Sequence, residues 1–164
     1  MVDRGDAESA VRDGESNRLR LSGEGLDDLG VLHDFFDRLG REAGWPDKLT
    51  MDLLLCCEEL LTNTITYGYP DDQPPGTRFI EAAVTSGPGS VTIELTDNAT
   101  PYNPLMQPAP DLTLDLEHRP IGGLGIYFVK RIMDELHYEP VAPGPGNRLI
   151  LRKYIETTSG GTRT

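Results

Sequence analysis

Cysteine is almost missing from this chain. There are two in 164 residues, Cys56 and Cys57, side by side in an apolar, helix-like run. Neighbouring cysteines are poor disulfide partners, so a disulfide-stapled scaffold is excluded and buried core thiols are expected. Two thiols alone make no metal centre. Positive charge is scarce too: 15 Lys and Arg stand against 27 Asp and Glu, a formal charge of −12. Such a surface repels a nucleic-acid backbone, which is bound by Lys and Arg that displace counterions. It disfavours an anionic membrane surface for the same reason. No apolar run approaches the length of a bilayer span, and the polar opening MVDRGDAESAVRDGES has no signal-peptide core. A cytoplasmic protein is expected, with neither nucleic acid nor membrane as a direct partner. The charge does leave room for a small polyphosphate, which backbone N–H groups and a metal can hold without a basic surface.

What is present fits one domain. Residues 1–16 mix charge, Gly and Ser and read as a disordered leader, 17–156 as the folded domain, and 157–164 as a disordered tail. A short alternating strand is expected at Asn17–Ser22, with Leu19 and Leu21 on one face. Leu29, Leu32, Phe36 and Leu39 recur at helical spacing between Leu26 and Ala43. A second helix starts at Pro46 and runs to about Tyr67, stopped by Gly68. Two strands, Arg78–Ser86 and Ser90–Thr96, are joined by GPG as a hairpin. Asn98 to Ile121 has five prolines and no sustained period, which marks a functional lid or a disordered insert. A third helix opens at the glycines 122–125, runs to about Leu136 and should be largely buried, because its apolar residues wrap most of its circumference. Strands near His137–Ala142 and Arg148–Ile155, linked by PGPGN, complete the chain. Without regular βαβ alternation this is an α+β, two-layer sandwich: a mixed, mostly antiparallel sheet with helices on one face.

Three places can carry chemistry. In CEELLTNTITYGY, Glu59 and Asn63 are four apart and project from one side of the second helix, with Asp52 and Thr66 near the same meridian. A solvated face has that look as well. An Asn side-chain oxygen is, however, a hard neutral ligand suited to Mg2+, and a carboxylate one turn away can take a proton from an attacking hydroxyl. In VTIELTDN, Val91, Ile93 and Leu95 share a face by period two, and Asp97 continues that parity toward the helix layer. A carboxylate there needs donors, such as the exocyclic amino group of a purine; the other reading is a loop-terminus Asp whose backbone has already turned away. In PIGGLGIYFVKRIMDEL, Gly122, Gly123 and Gly125 precede a helix, where close backbone approach and the helix dipole favour an anion, unless the glycines serve only to let helix and sheet pack tightly. The spacing is not G-x-G-x-x-G, which fails at Phe128, and no Gly-Lys-Ser/Thr occurs.

In their order, EELLTN, TDNATPYNP and GGLGI resemble the N box and the two glycine boxes of the GHKL ATP-binding fold of histidine kinases, gyrase and heat-shock chaperones. The resemblance covers about Asn17 to Ile155 and is closest to the small bacterial anti-sigma-factor serine/threonine kinases. It implies ATP and Mg2+ as cofactors, with Asn63 ligating the metal and Glu59 as general base. It implies Asp97 as acceptor for the adenine amino group and backbone N–H groups of Gly123, Leu124 and Gly125, in the box opened by Gly122, on the phosphates. Arg119 would reach the γ-phosphate. The implied substrate is a STAS-type anti-sigma-factor antagonist, with a sigma factor as a second partner and a homodimer as the common assembly. The alternative left open is a nucleotide-gated binding protein with little or no kinase activity. Two positions depart from the pattern. The first glycine box has Ala99 where Gly is usual, which is tolerable only at negative φ and with the methyl clear of the base. The last strand, NRLILRK, has no Thr beside the adenine.

Overall fold

The computed structural model describes residues 17–115, 117–118 and 124–156. The expected leader, the expected tail, Arg119, Gly122 and Gly123 lie outside the described residues. Among the described residues five strands and three α-helices appear in the order β1 (Arg18–Leu21), α1 (Asp28–Ala43), α2 (Asp47–Asn63), β2 (Ile80–Ser86), β3 (Ser90–Asp97), α3 (Leu124–Ile132), β4 (Glu135–Pro140) and β5 (Asn147–Tyr154). The sheet has the strand order β1-β2-β3-β5-β4, and every neighbouring pair is antiparallel. The parallel pairing that a mixed sheet would include is absent among the described residues. The architecture is otherwise the expected α+β two-layer sandwich.

Period-two alternation explains how the layers meet. Ile80, Ala82 and Val84 on β2, Val91, Ile93 and Leu95 on β3, and Leu149 and Leu151 on β5 are all buried. They face Leu32 and Phe36 of α1, Leu53 and Leu61 of α2, and Ile126 and Val129 of α3 in one continuous core. Cys56 and Cys57 are free and fully buried there, and burial pushes the Cys56 thiol up to about 12, so neither offers a thiolate. The alternate positions carry charge in pairs: Arg18 with Glu81, Arg148 with Glu94 and Glu139, Arg152 with Glu135. Two N–H bonds from Arg148 hold the Glu94 carboxyl below its ordinary pKa.

The turn from β1 into α1 is fixed by Asp28, which is buried and accepts from the Gly23 N–H at 2.8 Å and the Ser22 hydroxyl at 3.1 Å. Gly44, at φ 68°, closes α1 in the left-handed conformation. Two expectations for α3 fail. The helix ends at Ile132, because the Asp134 N–H bonds the Arg152 carbonyl and the chain has joined the sheet by Glu135. Leu136 is therefore a strand residue. Nor is α3 largely buried: Leu124 is 37% and Phe128 45% exposed, because only the Ile126–Val129 side meets the core.

Candidate functional site

The second helix does not stop as an α-helix. After Asn63 the chain widens into a single π-helical turn, Thr64–Gly68. Such turns have no composition signature, and they recur at functional sites because they displace side chains from the regular meridian. This one borders a cavity of about 770 Å³, walled by Asn63 and Thr64, by the ends of β3 and β5, and by the Pro-rich loop that follows Asp97. The volume lies within the roughly 300–1,000 Å³ usual for small-molecule sites.

Asp97 is the last residue of β3 and keeps the inward parity of Val91, Ile93 and Leu95. Antiparallel register sets it directly opposite Asn147, the first residue of β5. The Asn147 amide donates to Asp97 Oδ1 at 2.8 Å, and the Ala99 N–H donates to the same oxygen at 2.9 Å. Oδ2 takes no hydrogen bond from the described residues. Burial raises the Asp97 pKa above the ordinary carboxylate value, and the Asn147 amide with the backbone N–H groups of Ala99 and Asn147 only partly opposes it. A half-satisfied carboxylate in an apolar pocket is suited to a ligand that brings an N–H donor. Gln107, also on the cavity wall, has a buried Oε1 without a partner among the described residues.

Ala99, which lines the cavity, meets the backbone half of the condition set by its departure from glycine. No described non-glycine residue has positive φ, and the Ala99 methyl is 1% exposed, packed toward Gly68. A Cβ added to Gly68 would lie 3.1 Å from the Ala99 Cβ, while Gly68 O accepts from the Thr100 N–H at 3.0 Å. The missing side chain at 68 thus makes room for the methyl at 99. Gly68→Ala is expected to destabilise the protein by about 1 kcal/mol or more through overpacking, and Gly68→Ala with Ala99→Gly to recover most of it. Denaturant unfolding of the four variants in this cycle measures the coupling. Simple additivity would show that the two residues do not share this space.

Asn63 lines the cavity and Glu59 does not; the two project from α2 one turn apart. Glu59 lies against the first turn of α3, where a Cβ on Gly125 would stand 2.1 Å from Glu59 Oε2 and 2.9 Å from its carboxyl carbon. Gly125 is a glycine because the carboxylate occupies the space of its side chain. Leu124 and Gly125 begin α3, where helix geometry leaves backbone N–H groups without partners in the helix. The other expected members of that box, Gly122 and Gly123, and the expected γ-phosphate contact Arg119 lie outside the described residues. Asp52 and Thr66 do not join the site: Asp52 pairs with Lys48 at 2.6 Å, and Thr66 is exposed.

Two site features have no counterpart in the sequence reading. Asn147 opens the last strand, and only the sheet register brings it to Asp97. Lys130 of α3 donates to the Leu105 carbonyl at 2.9 Å and the Gln107 carbonyl at 3.2 Å, tying the short 3-10 helix Pro104–Met106 of the Pro-rich loop to α3.

No cluster of three or more His, Cys, Asp or Glu among the described residues makes a self-sufficient metal site. The donor set at Asn63 fits Mg2+ in the manner that ion prefers, with one or two protein ligands and the remainder from phosphates and water.

The sandwich, the polar turn of α2 facing the cleft and the half-buried Asp97 at the end of β3 have the form of a nucleotide-binding domain, and comparison with known families agrees. Residues 25–153 match the histidine kinase-like ATPase domain, so the chain belongs to that family. Among characterised proteins it is similar to the serine/threonine-protein kinase BtrW of Bordetella bronchiseptica, at 25% identity over 95 residues. That match spans 58% of this chain and 65% of BtrW, a little under two thirds of the relative. No helix among the described residues is long and apolar enough to cross a membrane.

Proposed function

We propose that this protein is an ATP-dependent serine/threonine protein kinase of the anti-sigma-factor type, which phosphorylates a STAS-type antagonist and also holds a sigma factor. The observation that carries the reading is the placement of Glu59. Its carboxylate rests on the first turn of α3, one helical turn from Asn63 on the cavity wall.

In this reading the adenine amino group donates to Asp97 Oδ2 at the floor of the cleft, and the phosphates extend toward Asn63 and the start of α3. Asn63 would hold Mg2+, which when bound neutralises charge on the phosphates. Backbone N–H groups of Leu124 and Gly125 face the transferring group with the positive end of the helix dipole. Glu59 takes the proton of the incoming Ser or Thr hydroxyl as its oxygen bonds to the γ-phosphorus and the bond to the β-phosphate oxygen breaks, leaving ADP and a phosphoprotein. Little covalent chemistry is asked of the protein, so most of the acceleration comes from position and electrostatics. The name of BtrW supports the serine/threonine class of acceptor.

The test is incubation with γ-labelled ATP, Mg2+ and the STAS-domain proteins of the same cell. One labelled partner, with the label stable as a phosphoester on Ser or Thr, is the expected result. Tight nucleotide binding with no labelled protein would favour the alternative, a nucleotide-gated binding protein.

A further inference from the structure

Asn147 uses one small amide to make four hydrogen bonds. Its Nδ2 donates to Asp97 Oδ1 at 2.8 Å and to the Thr100 carbonyl at 3.1 Å. Its Oδ1 accepts from the Tyr102 N–H at 2.8 Å and the Tyr138 hydroxyl at 2.7 Å. An Asn amide offers two N–H donors and two acceptor lone pairs, so every hydrogen-bonding position is filled by protein. The partners also fix which way the amide points. The Tyr102 N–H can only donate, while the Thr100 carbonyl and an ionised Asp97 can only accept, so a flipped amide would oppose like groups at three contacts.

We propose that Asn147 is the positioning residue of the pocket: it holds Asp97 with Oδ2 turned to the ligand and ties that carboxylate to the root of the loop at Thr100 and Tyr102. The proposal rests on the nucleotide reading above. With no donor or acceptor to spare, Asn147 acts on the ligand through the groups it holds, Asp97 first among them. The carboxylate, pinned on Oδ1 by two donors, presents one acceptor in one direction. That geometry selects a ring edge carrying an amino group and rejects one carrying a carbonyl, whose oxygen would face the carboxylate unpaired. Released from Asn147, Asp97 turns about its side-chain bonds, and the discrimination fades. Because Thr100 and Tyr102 hang on the same amide, the loop and the base-reading group are set together.

The experiment compares binding of ATP and of inosine triphosphate, which has the same ribose and phosphates but a carbonyl in place of the amino group. Wild type is expected to prefer ATP by about tenfold or more. Asn147→Ala should weaken ATP about tenfold while inosine triphosphate changes less than about threefold, so the preference collapses. Tyr138→Phe, which removes one bond to the amide and leaves the amide in place, should reduce the preference by a smaller factor of about two to three. It gives an independent reading if Asn147→Ala does not fold, and an unchanged preference in it then overturns the proposal. Equal losses for both nucleotides in Asn147→Ala would mean a merely structural role, and an undiminished preference would mean none; either overturns the proposal while the nucleotide site stands. A wild-type protein that binds both nucleotides equally overturns it too, and one that binds neither removes the nucleotide reading and this proposal together.

Discussion

Replacing Glu59 with Gln should lower phosphoryl transfer by about 10²- to 10⁴-fold while leaving ATP affinity within about threefold of wild type. Glu59 is half-buried, has no hydrogen-bond partner among the described residues and does not line the cavity. Losing its charge therefore costs nucleotide binding little. Gln matches its shape and keeps its contact with Gly125, so the fold and the start of α3 stay in place. What Gln cannot do is accept a proton. The loss should appear in kcat rather than in the KM for ATP, because the interaction removed exists only as the hydroxyl proton leaves. Transfer by Glu59→Gln at the wild-type rate would show that the base is elsewhere.

Asp97→Asn should separate binding from stability in opposite directions. In the proposed reading the ionised carboxylate accepts from the ligand amino group, and in Asn an N–H2 group can take the place of Oδ2 and face that donor. ATP affinity is expected to fall by about tenfold to a hundredfold, the range for a hydrogen bond to a charged group. The free protein should become more stable. Burial raises the folded-state pKa of Asp97 above its unfolded value. Its contribution to stability is thus fully present below the unfolded pKa and is lost as pH rises through the raised folded value. At neutral pH the buried charge costs stability, and the neutral amide relieves that cost. Each 1 kcal/mol recovered raises Tm by roughly 2–4 °C for a chain of this size. The gain should shrink as the pH is lowered and the wild-type carboxyl takes up its proton, and over the same range wild-type ATP affinity should weaken. A lower Tm at neutral pH, or unchanged ATP affinity, would show that Asp97 is not a buried acceptor held ready for ligand.

Local patterns made much of this legible in the sequence. Period two through Val91, Ile93 and Leu95 carried Asp97 to the inner face, and helical spacing put Glu59 and Asn63 on one side of α2. Glycines before a helix marked the place where Glu59 now meets Gly125. What was not legible depends on contacts between distant segments. Asn147 reaches Asp97 through a register set by pairing residues fifty positions apart, which nothing within β5 encodes. The exposure of Leu124 and Phe128 depends on how far α3 leans on α2, and its apolar surface was too broad to say which side would be covered. The helix pattern ran smoothly through Leu136, yet pairing of Glu135 with Arg152 claimed those residues for the sheet. The room that Ala99 needs comes from Gly68, thirty-one positions away, so a change that reads as a defect in one motif is accommodated in another.

The most direct test of the central claim, that the cleft between α2 and the ends of β3 and β5 holds ATP, is titration calorimetry of the wild-type protein with Mg-ATP. A saturable, single-site heat with a Kd below about 1 mM is expected, lost or strongly weakened in Asp97→Asn. No heat from the wild-type protein at millimolar nucleotide would contradict it.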